Sequence, residues 1–198
     1  WTRIVPVETE LDDRMYTPTC SGAPGTDPSY HFWAKRGSSN KLVVFFEGGG
    51  ACWDGASCAF PIDPDAPPET PQLFKAQLSP GENPAGLGGI FDPDNPSNPV
   101  ADWSFVYVPY CTGDIHSGSK TMSYVNPFTG QSYTIEHRGA DNFRVIQKWI
   151  VANFPRPEQL LISGSSAGGY GAATHFSGMR EAYPFAPAAM LADSAQGV

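Results

Sequence analysis

The segment at residues 164–168, Gly-Ser-Ser-Ala-Gly, has the G-x-S-x-G spacing that places a nucleophilic serine on a sharp turn. It follows the apolar run Leu-Leu-Ile-Ser at 160–163 and opens a helix predicted over 166–181. This strand–turn–helix context is typical of a nucleophile elbow, in which small residues let the helix approach the strand closely. We therefore interpret Ser166 as the nucleophile of an acyl-transfer reaction, rather than as an incidental serine in a glycine-rich turn.

Three consecutive glycines, Gly48–Gly50, follow an apolar run at 41–47. Acyl transfer requires backbone N–H groups directed at the developing oxyanion, and glycine-rich turns after a strand supply them in α/β-hydrolases. We predict an oxyanion hole formed by Gly49, Gly50 and Ala167. A phosphate-binding loop is the rival interpretation, but these glycines lack the Lys-Ser/Thr pair that such a loop requires.

A serine nucleophile needs a histidine as general base, and its position is not evident here. His175 lies in the helix that Ser166 opens, about 13 Å further along the axis, whereas a base must reach about 3 Å. His116 follows the predicted strand 104–109 and is a candidate wall of the substrate pocket, because loops at the carboxyl ends of strands line the crevice of open α/β sheets. Asp193 ends the last predicted strand, and we interpret it as a structural carboxylate rather than the triad acid.

The triad acid and histidine are therefore expected outside these 198 residues. They would lie in a C-terminal part of the fold that is missing from this chain, or in a second polypeptide. His31, in an early strand, and His137, before a helix, are interpreted as structural. If the base instead lies within the chain, His116 and Asp193 are the leading pair.

Strands alternate with helices along the chain, which predicts an α/β fold with a mostly parallel sheet flanked by helices. Apolar runs predict five strands, at 28–36, 41–47, 104–109, 159–163 and 187–192. Besides the helix at 166–181, apolar residues at helical spacing predict a helix at 139–154.

Residues 54–100 are rich in proline and aspartate and show little periodicity. We interpret them as an insertion within a single domain that spans residues 1–198. The insertion contains four aspartates whose carboxylates fit proline-rich turns better than a calcium site: Asp63, Asp65, Asp92 and Asp94.

The net charge of −8 argues against nucleic acid as a partner, and no apolar run is long enough to span a membrane. Four cysteines without a C-x-x-C pair favour two disulfides over a zinc site. Cys52–Cys58 would close a short loop, and Cys20–Cys111 would tie the N-terminal segment to the middle of the chain. Disulfides indicate an oxidising compartment, secreted or periplasmic, whereas four buried free thiols are the alternative.

Six segments resemble, in sequence and order, the pectin acetylesterase–Notum family of serine esterases. They are FFEGGGACW at 45–53, GIFDPDNPSNP at 89–99, VYVPYCTGDIHSG at 106–118, HRGADNF at 137–143, GSSAGGYG at 164–171 and LADSA at 191–195. The similarity runs from about residue 40 to the C-terminus. It implies an α/β-hydrolase fold, maps the nucleophile onto Ser166 and the oxyanion hole onto Gly49, Gly50 and Ala167, and supports both cysteine pairings.

The resemblance implies a secreted carboxylesterase that needs no metal or organic cofactor. Its substrate would be an acetylated polysaccharide or a similar extracellular ester. A polyester or lipid-ester hydrolase is an alternative within the same chemistry. A binding module without catalytic activity is the alternative from another class, because a fold alone does not establish activity.

Overall fold

The computed structural model describes residues 1–63, 65–79 and 81–195. The strands in this part of the chain are, in order, β1 (Thr2–Ile4), β2 (Thr9–Leu11), β3 (Arg14–Tyr16), β4 (Phe32–Lys35), β5 (Lys41–Phe46), β6 (Ser104–Val108), β7 (Lys120–Val125), β8 (Ser132–His137), β9 (Gln159–Ser165) and β10 (Ala188–Asp193). The helices are α1 (Gly139–Asn153) and α2 (Ala167–Ala182).

Six strands form one mixed sheet in the order β1-β4-β6-β5-β9-β10. The four strands from β6 to β10 run parallel, while β4 and β1 are antiparallel additions at one edge. The predicted α/β class and mostly parallel sheet are therefore confirmed.

The central strand β5 is apolar along its length because both of its faces are buried. Leu42, Val44 and Phe46 belong to a core cluster with residues of α1 and α2. The alternate residue Val43 packs on the other face with Phe91, which belongs to the insertion. This alternation follows the two-residue repeat of a strand, so helices cover one face of the sheet and part of the insertion covers the other.

The predicted helix at 139–154 and the strands at 41–47, 104–109, 159–163 and 187–192 match observed elements to within two residues at each end. The predicted strand at 28–36 is shorter in the structure, which begins β4 at Phe32. Two hairpins, β2–β3 and β7–β8, were not predicted. Their strands are largely solvent-exposed and carry few apolar residues, so they lack the apolar run that signals a buried strand.

Both predicted disulfides are present. Cys20–Cys111 joins the N-terminal segment to the loop after β6, and Cys52–Cys58 closes a short loop just beyond Gly48–Gly50. In the insertion, short 3-10 helices and turns predominate, and Phe74 forms isolated bridges with Gly50 and Pro61.

The aspartates of the insertion support turns, as the sequence indicated. The Asp63 carboxylate accepts a hydrogen bond from the N–H of Asp65, and Asp92 does the same for Asp94. Among the described helices, none is both long and apolar enough to cross a membrane.

Candidate active site

The site lies where the order of the sheet reverses. Strands β5 and β9 are neighbours in the sheet. The chain leads from β5 to β6 on one side and from β9 to β10 on the other, so the two connections diverge at the carboxyl ends of β5 and β9. Open α/β sheets bind ligands in the crevice at such a switch point. Because Phe46 pairs with Gly164, the register places Gly48 opposite Ser166.

Ser166 occupies the sharp turn between β9 and α2. Its backbone angles, φ 56° and ψ −123°, are strained for a residue with a side chain, and the residue is exposed to solvent. A Cβ on Gly164 would lie 2.0 Å from the carbonyl oxygen of Gly168, and one on Gly168 would lie 2.0 Å from that of Phe46. Both glycines of the motif are thus required by the close approach of helix and strands.

The turn is also fixed by the last strand. The N–H of Ser166 donates to the carbonyl oxygen of Asp193 at 2.8 Å, and the N–H of Gly169 donates to that of Ser166 at 2.9 Å. The Asp193 side chain is exposed and accepts a hydrogen bond from Ser194 Oγ at 3.1 Å. Its backbone therefore positions the nucleophile, while its carboxylate contacts its own neighbour.

The residues Gly48–Gly50, called the glycine loop below, approach the turn from β5. A Cβ on Gly48 would lie 2.5 Å from the Ser165 carbonyl oxygen and 3.0 Å from Ser166 Cβ. Gly49 packs between Tyr110 and Lys75, and Gly50 has φ +72° with Leu73 against it.

Gly48 is therefore the loop residue in contact with Ser166, and the sequence-based choice of Gly49 and Gly50 left it out. An alignment of the carboxyl ends of β5 and β9 could have indicated Gly48, because it pairs each residue of the glycine loop with a residue of the turn that carries Ser166. Ala167, the other predicted donor, is the first residue of α2 and is buried.

His116 lies beside the carboxyl end of β5. It is 1% exposed, its Nε2 donates to the carbonyl oxygen of Glu47 at 2.8 Å, and a Cβ on Gly171 would be 2.8 Å from its ring. Burial lowers the pKa of His116 to about 4, so the imidazole is neutral at physiological pH. The ring packs against Phe46 and Tyr110 and is tied to the end of β5, and its role as a pocket wall stays a prediction.

The other three imidazoles bond to groups other than Ser166. His175 Nε2 donates to the His116 carbonyl oxygen at 2.8 Å and packs on Phe143, as expected for a packing residue. His137 donates from Nδ1 to a backbone carbonyl at 2.9 Å, and His31 Nδ1 accepts from an arginine at 3.2 Å. The described residues thus hold the serine and the glycine loop together without bringing a histidine to the serine.

Asp114 organises the loop that carries His116. One carboxylate oxygen accepts from Thr112 Oγ1 at 2.6 Å and from the His116 N–H at 3.1 Å. The other accepts from the N–H of Gly139 at 2.7 Å, at the first turn of α1, where a negative charge is favourable. Sequence reasoning noted this segment only as part of the family resemblance.

One grouping has the spacing of a metal site. The ligand atoms of Cys52, Cys58 and His137 lie within 4.8 Å of one another. The two sulfurs are joined in a disulfide, however, and a metal requires thiolates. The donor set therefore does not fit a metal ion.

A mostly parallel sheet, a strained serine between β9 and α2 and a glycine loop at the switch point define an α/β-hydrolase-like protein. The sequence profile of the pectinacetylesterase family matches residues 17–195. The chain belongs to this family.

The individual relatives described next are less than 30% identical to this chain. Pectin acetylesterase 7 of Arabidopsis thaliana is 29% identical over 163 residues, which cover 81% of this chain and 38% of that protein. The palmitoleoyl-protein carboxylesterase NOTUM of Homo sapiens is 26% identical over 184 residues, which cover 89% of this chain and 34% of that protein. The chain thus spans between about a quarter and two fifths of the length of the curated relatives that it matches.

Among solved structures, the Wnt deacylase Notum from Drosophila superposes with a TM-score of 0.59 at 20% sequence identity. The match covers 96% of this chain and 53% of that chain. At this identity, the likeness shows a shared fold.

Proposed function

We propose that this chain carries the nucleophile and oxyanion hole of a carboxylester hydrolase that forms an acyl-enzyme on Ser166. The observation that carries the proposal is the conformation of Ser166. A strained, exposed serine at the switch point of the sheet, with Gly48 directly opposite, is costly for a fold unless the hydroxyl is used.

The reaction proceeds in two halves. Ser166 Oγ attacks the ester carbonyl carbon and gives its proton to a histidine. The carbonyl carbon becomes tetrahedral, and its oxygen carries the negative charge. The carbonyl re-forms, the alcohol leaves with the proton from the histidine, and the acyl group stays on Ser166. Water then attacks the acyl-enzyme by the same steps and releases the carboxylic acid.

The oxyanion would be held by backbone N–H groups of the glycine loop and of Ala167. Gly49, Gly50 and Ala167 are the donors proposed from the sequence, and the position of Gly48 beside Ser166 adds the whole loop to the candidates. Each such donor is typically worth about 3–4 kcal/mol of transition-state stabilisation.

The triad acid and histidine are proposed to lie outside these residues. In α/β-hydrolases they follow the serine in chain order, and the histidine that follows Ser166 here bonds to His116. A continuation of the same polypeptide is the simpler source, since the matched relatives are more than twice as long as this chain. The comparisons give no support to a separate polypeptide.

The proposed substrate is an acyl ester on an extracellular polysaccharide or a similar polymer. Relatives named as pectin acetylesterases and as palmitoleoyl-protein carboxylesterases match at similar identity, so the acyl chain is the property to measure. Two disulfides support a secreted or periplasmic location.

A fluorophosphonate probe tests the nucleophile in the complete protein. We expect one covalent adduct, placed by peptide mass on Ser166, that Ser166→Ala removes and the adjacent control Ser165→Ala retains. A series of p-nitrophenyl esters from acetyl to hexadecanoyl then separates deacetylation from lipid-ester hydrolysis. Absence of both labelling and turnover in folded protein would favour the binding module.

A further inference from the structure

A charged cluster lies directly behind the glycine loop. Glu47 is the residue between β5 and Gly48, and its carboxylate is 16% exposed. Lys75 Nζ donates to its two oxygens at 2.8 and 2.9 Å, and the N–H of Tyr110 donates to Oε2 at 2.9 Å. The carboxylate is thus held on three sides at the base of the loop.

Lys75 contacts the loop a second time through its backbone. Its N–H donates to the carbonyl oxygen of Gly49 at 2.8 Å. A Cβ on Gly49 would lie 2.9 Å from Lys75 Cβ and 2.8 Å from the Tyr110 ring. The loop therefore has no room to shift toward Lys75 or Tyr110.

The same ammonium bonds to Glu82, which also accepts from the N–H of Ser79 at 3.2 Å. Lys75 and Glu82 both belong to the insertion, so the ion pair between Lys75 and Glu47 joins the insertion to the end of β5. We call Glu47, Lys75 and Glu82 the acid–lysine cluster.

The cluster holds two carboxylates for one cation. Burial, followed by the charge of Glu82, raises the pKa of Glu47 to about 7 despite the attraction of Lys75. Burial opposes ionisation of Glu82, but hydrogen bonds with Glu47 and Lys75 lower its pKa. The other titratable groups that act on this cluster are Tyr30, Tyr107 and His31, the last beside Arg3.

We propose that Lys75 is a positioning residue for the glycine loop: its ion pairs with Glu47 and Glu82 hold Gly48 opposite Ser166. The inference rests on the proposed function, in which the loop binds the oxyanion. Without the cation, two carboxylates that are 16% and 30% exposed lie together without a positive partner, and their mutual repulsion and partial burial disfavour this arrangement. Glu47 then moves away or stays protonated, and the loop that begins one residue later loses its anchor.

The kinetic test compares Lys75→Met with Lys75→Arg in the complete protein. An oxyanion hole acts on the transition state, so Lys75→Met should lower kcat roughly 10–100-fold and change KM by less than about 3-fold. Lys75→Arg keeps the charge and should retain most of kcat. Lys41→Met, at the opposite end of β5, is the matched control and should behave as wild type.

Two outcomes would overturn the proposal. One is wild-type kcat in Lys75→Met, and the other is an equal loss in Lys75→Arg and Lys75→Met, which would make side-chain volume the cause. If Lys75→Met does not fold, Lys75→Met/Glu82→Gln removes one unpaired charge. We expect that variant to fold with kcat still reduced, and a wild-type kcat there would also overturn the proposal.

Amide hydrogen exchange separates this proposal from the proposed function. The N–H of Ala51 donates to the carbonyl oxygen of Leu73, and the N–H of residue 75 donates to that of Gly49, so both bonds tie the glycine loop to the insertion. Both should exchange faster in Lys75→Met than in Lys41→Met, whether or not the protein hydrolyses esters. Unchanged exchange at both would contradict the positioning role, whereas a wild-type protein without esterase activity would contradict the proposed function alone.

Discussion

The two strands beside β9 are held very differently. Strand β5 pairs on both edges, and Leu42, Val43 and Val44 are fully buried. Within residues 1–63, 65–79 and 81–195, strand β10 pairs only with β9, and Met190 and Leu191 are 44% and 55% exposed. The side of the site that faces β5 is thus enclosed by packing, and the side that faces β10 is open.

The proposed catalytic groups are distributed accordingly between the β5 side and the β10 side of the site. On the β5 side, steric contacts of a few ångströms fix the glycine loop against the Ser166 turn. On the β10 side, the Ser166 N–H donates to the Asp193 carbonyl oxygen, and a Cβ on Gly169 would lie 2.5 Å from Ala195 Cβ. The proposed nucleophile and oxyanion hole therefore form without the base, and the base is expected to arrive from the β10 side.

The largest effect should come from the nucleophile itself. Ser166→Ala should lower kcat for ester hydrolysis by at least about 10⁴-fold, because no acyl-enzyme can form. Steady-state kinetics in the complete protein, with circular dichroism to verify the fold, measures this. Ser165→Ala, one residue earlier, should retain activity, and comparable losses in both variants would move the nucleophile away from Ser166.

The contrast between β5 and β10 predicts that a leucine-to-alanine substitution lowers the free energy of unfolding by different amounts in the two strands. Leu42→Ala removes a fully buried side chain and should lower the free energy of unfolding by about 2–5 kcal/mol. In the 198-residue chain, Leu191→Ala alters an exposed side chain and should change the free energy of unfolding by less than about 0.5 kcal/mol. Denaturant unfolding measures both variants. A large cost for Leu191→Ala in this chain would contradict the contrast, whereas a large cost in the complete protein alone would mean that the proposed continuation covers β10.

The glycine loop predicts a smaller, local effect. Gly48→Ala places a methyl group 2.5 Å from the Ser165 carbonyl oxygen, so the loop must move away from Ser166. We expect kcat to fall roughly 10²-fold, about the value of one oxyanion donor. Gly86→Ala, where a Cβ meets nothing within 4 Å, is the control. Equal kcat in the two variants would contradict the role of the loop.

The sequence predicted the parts of the fold that depend on local pattern. Strands β5, β6 and β9 are buried on both faces, so their apolar runs were visible, and the spacing of Gly164, Ser166 and Gly168 identified the elbow. The β7–β8 hairpin was not predicted, because its exposed strands carry no such run.

The parts that depend on long-range pairing were missed. The close contact of Gly48 with the Ser166 turn follows from the pairing of Phe46 with Gly164, which is a property of the sheet. The ion pair between Glu47 and Lys75 and the hydrogen bond between His116 and the Glu47 carbonyl oxygen arise from contacts across 28 and 69 residues of sequence. No local pattern signals either of them.

The smallest expected effect is a dependence of stability on pH that originates on the β5 side. The pKa of Glu47 is raised to about 7 by burial and by Glu82, from an ordinary value of 4.5. Between pH 4.5 and 7, the Glu47 carboxyl keeps its proton in the folded protein but has released it in the unfolded chain. The contribution of Glu47 is therefore fully present below pH 4.5 and is lost as the pH rises through 7.

Glu47→Gln cannot titrate and should remove this loss, so its free energy of unfolding should fall less steeply than that of wild type from pH 4.5 to 7. The lowered pKa of Glu82 acts below pH 4.5, because a depressed carboxyl loses its stabilisation as the pH falls, and the two contributions occupy separate windows. Urea unfolding at several pH values, with the exposed Glu158→Gln as control, gives the slopes. Parallel slopes for wild type and Glu47→Gln would mean that Glu47 is ionised throughout, and that Lys75 outweighs both burial and Glu82.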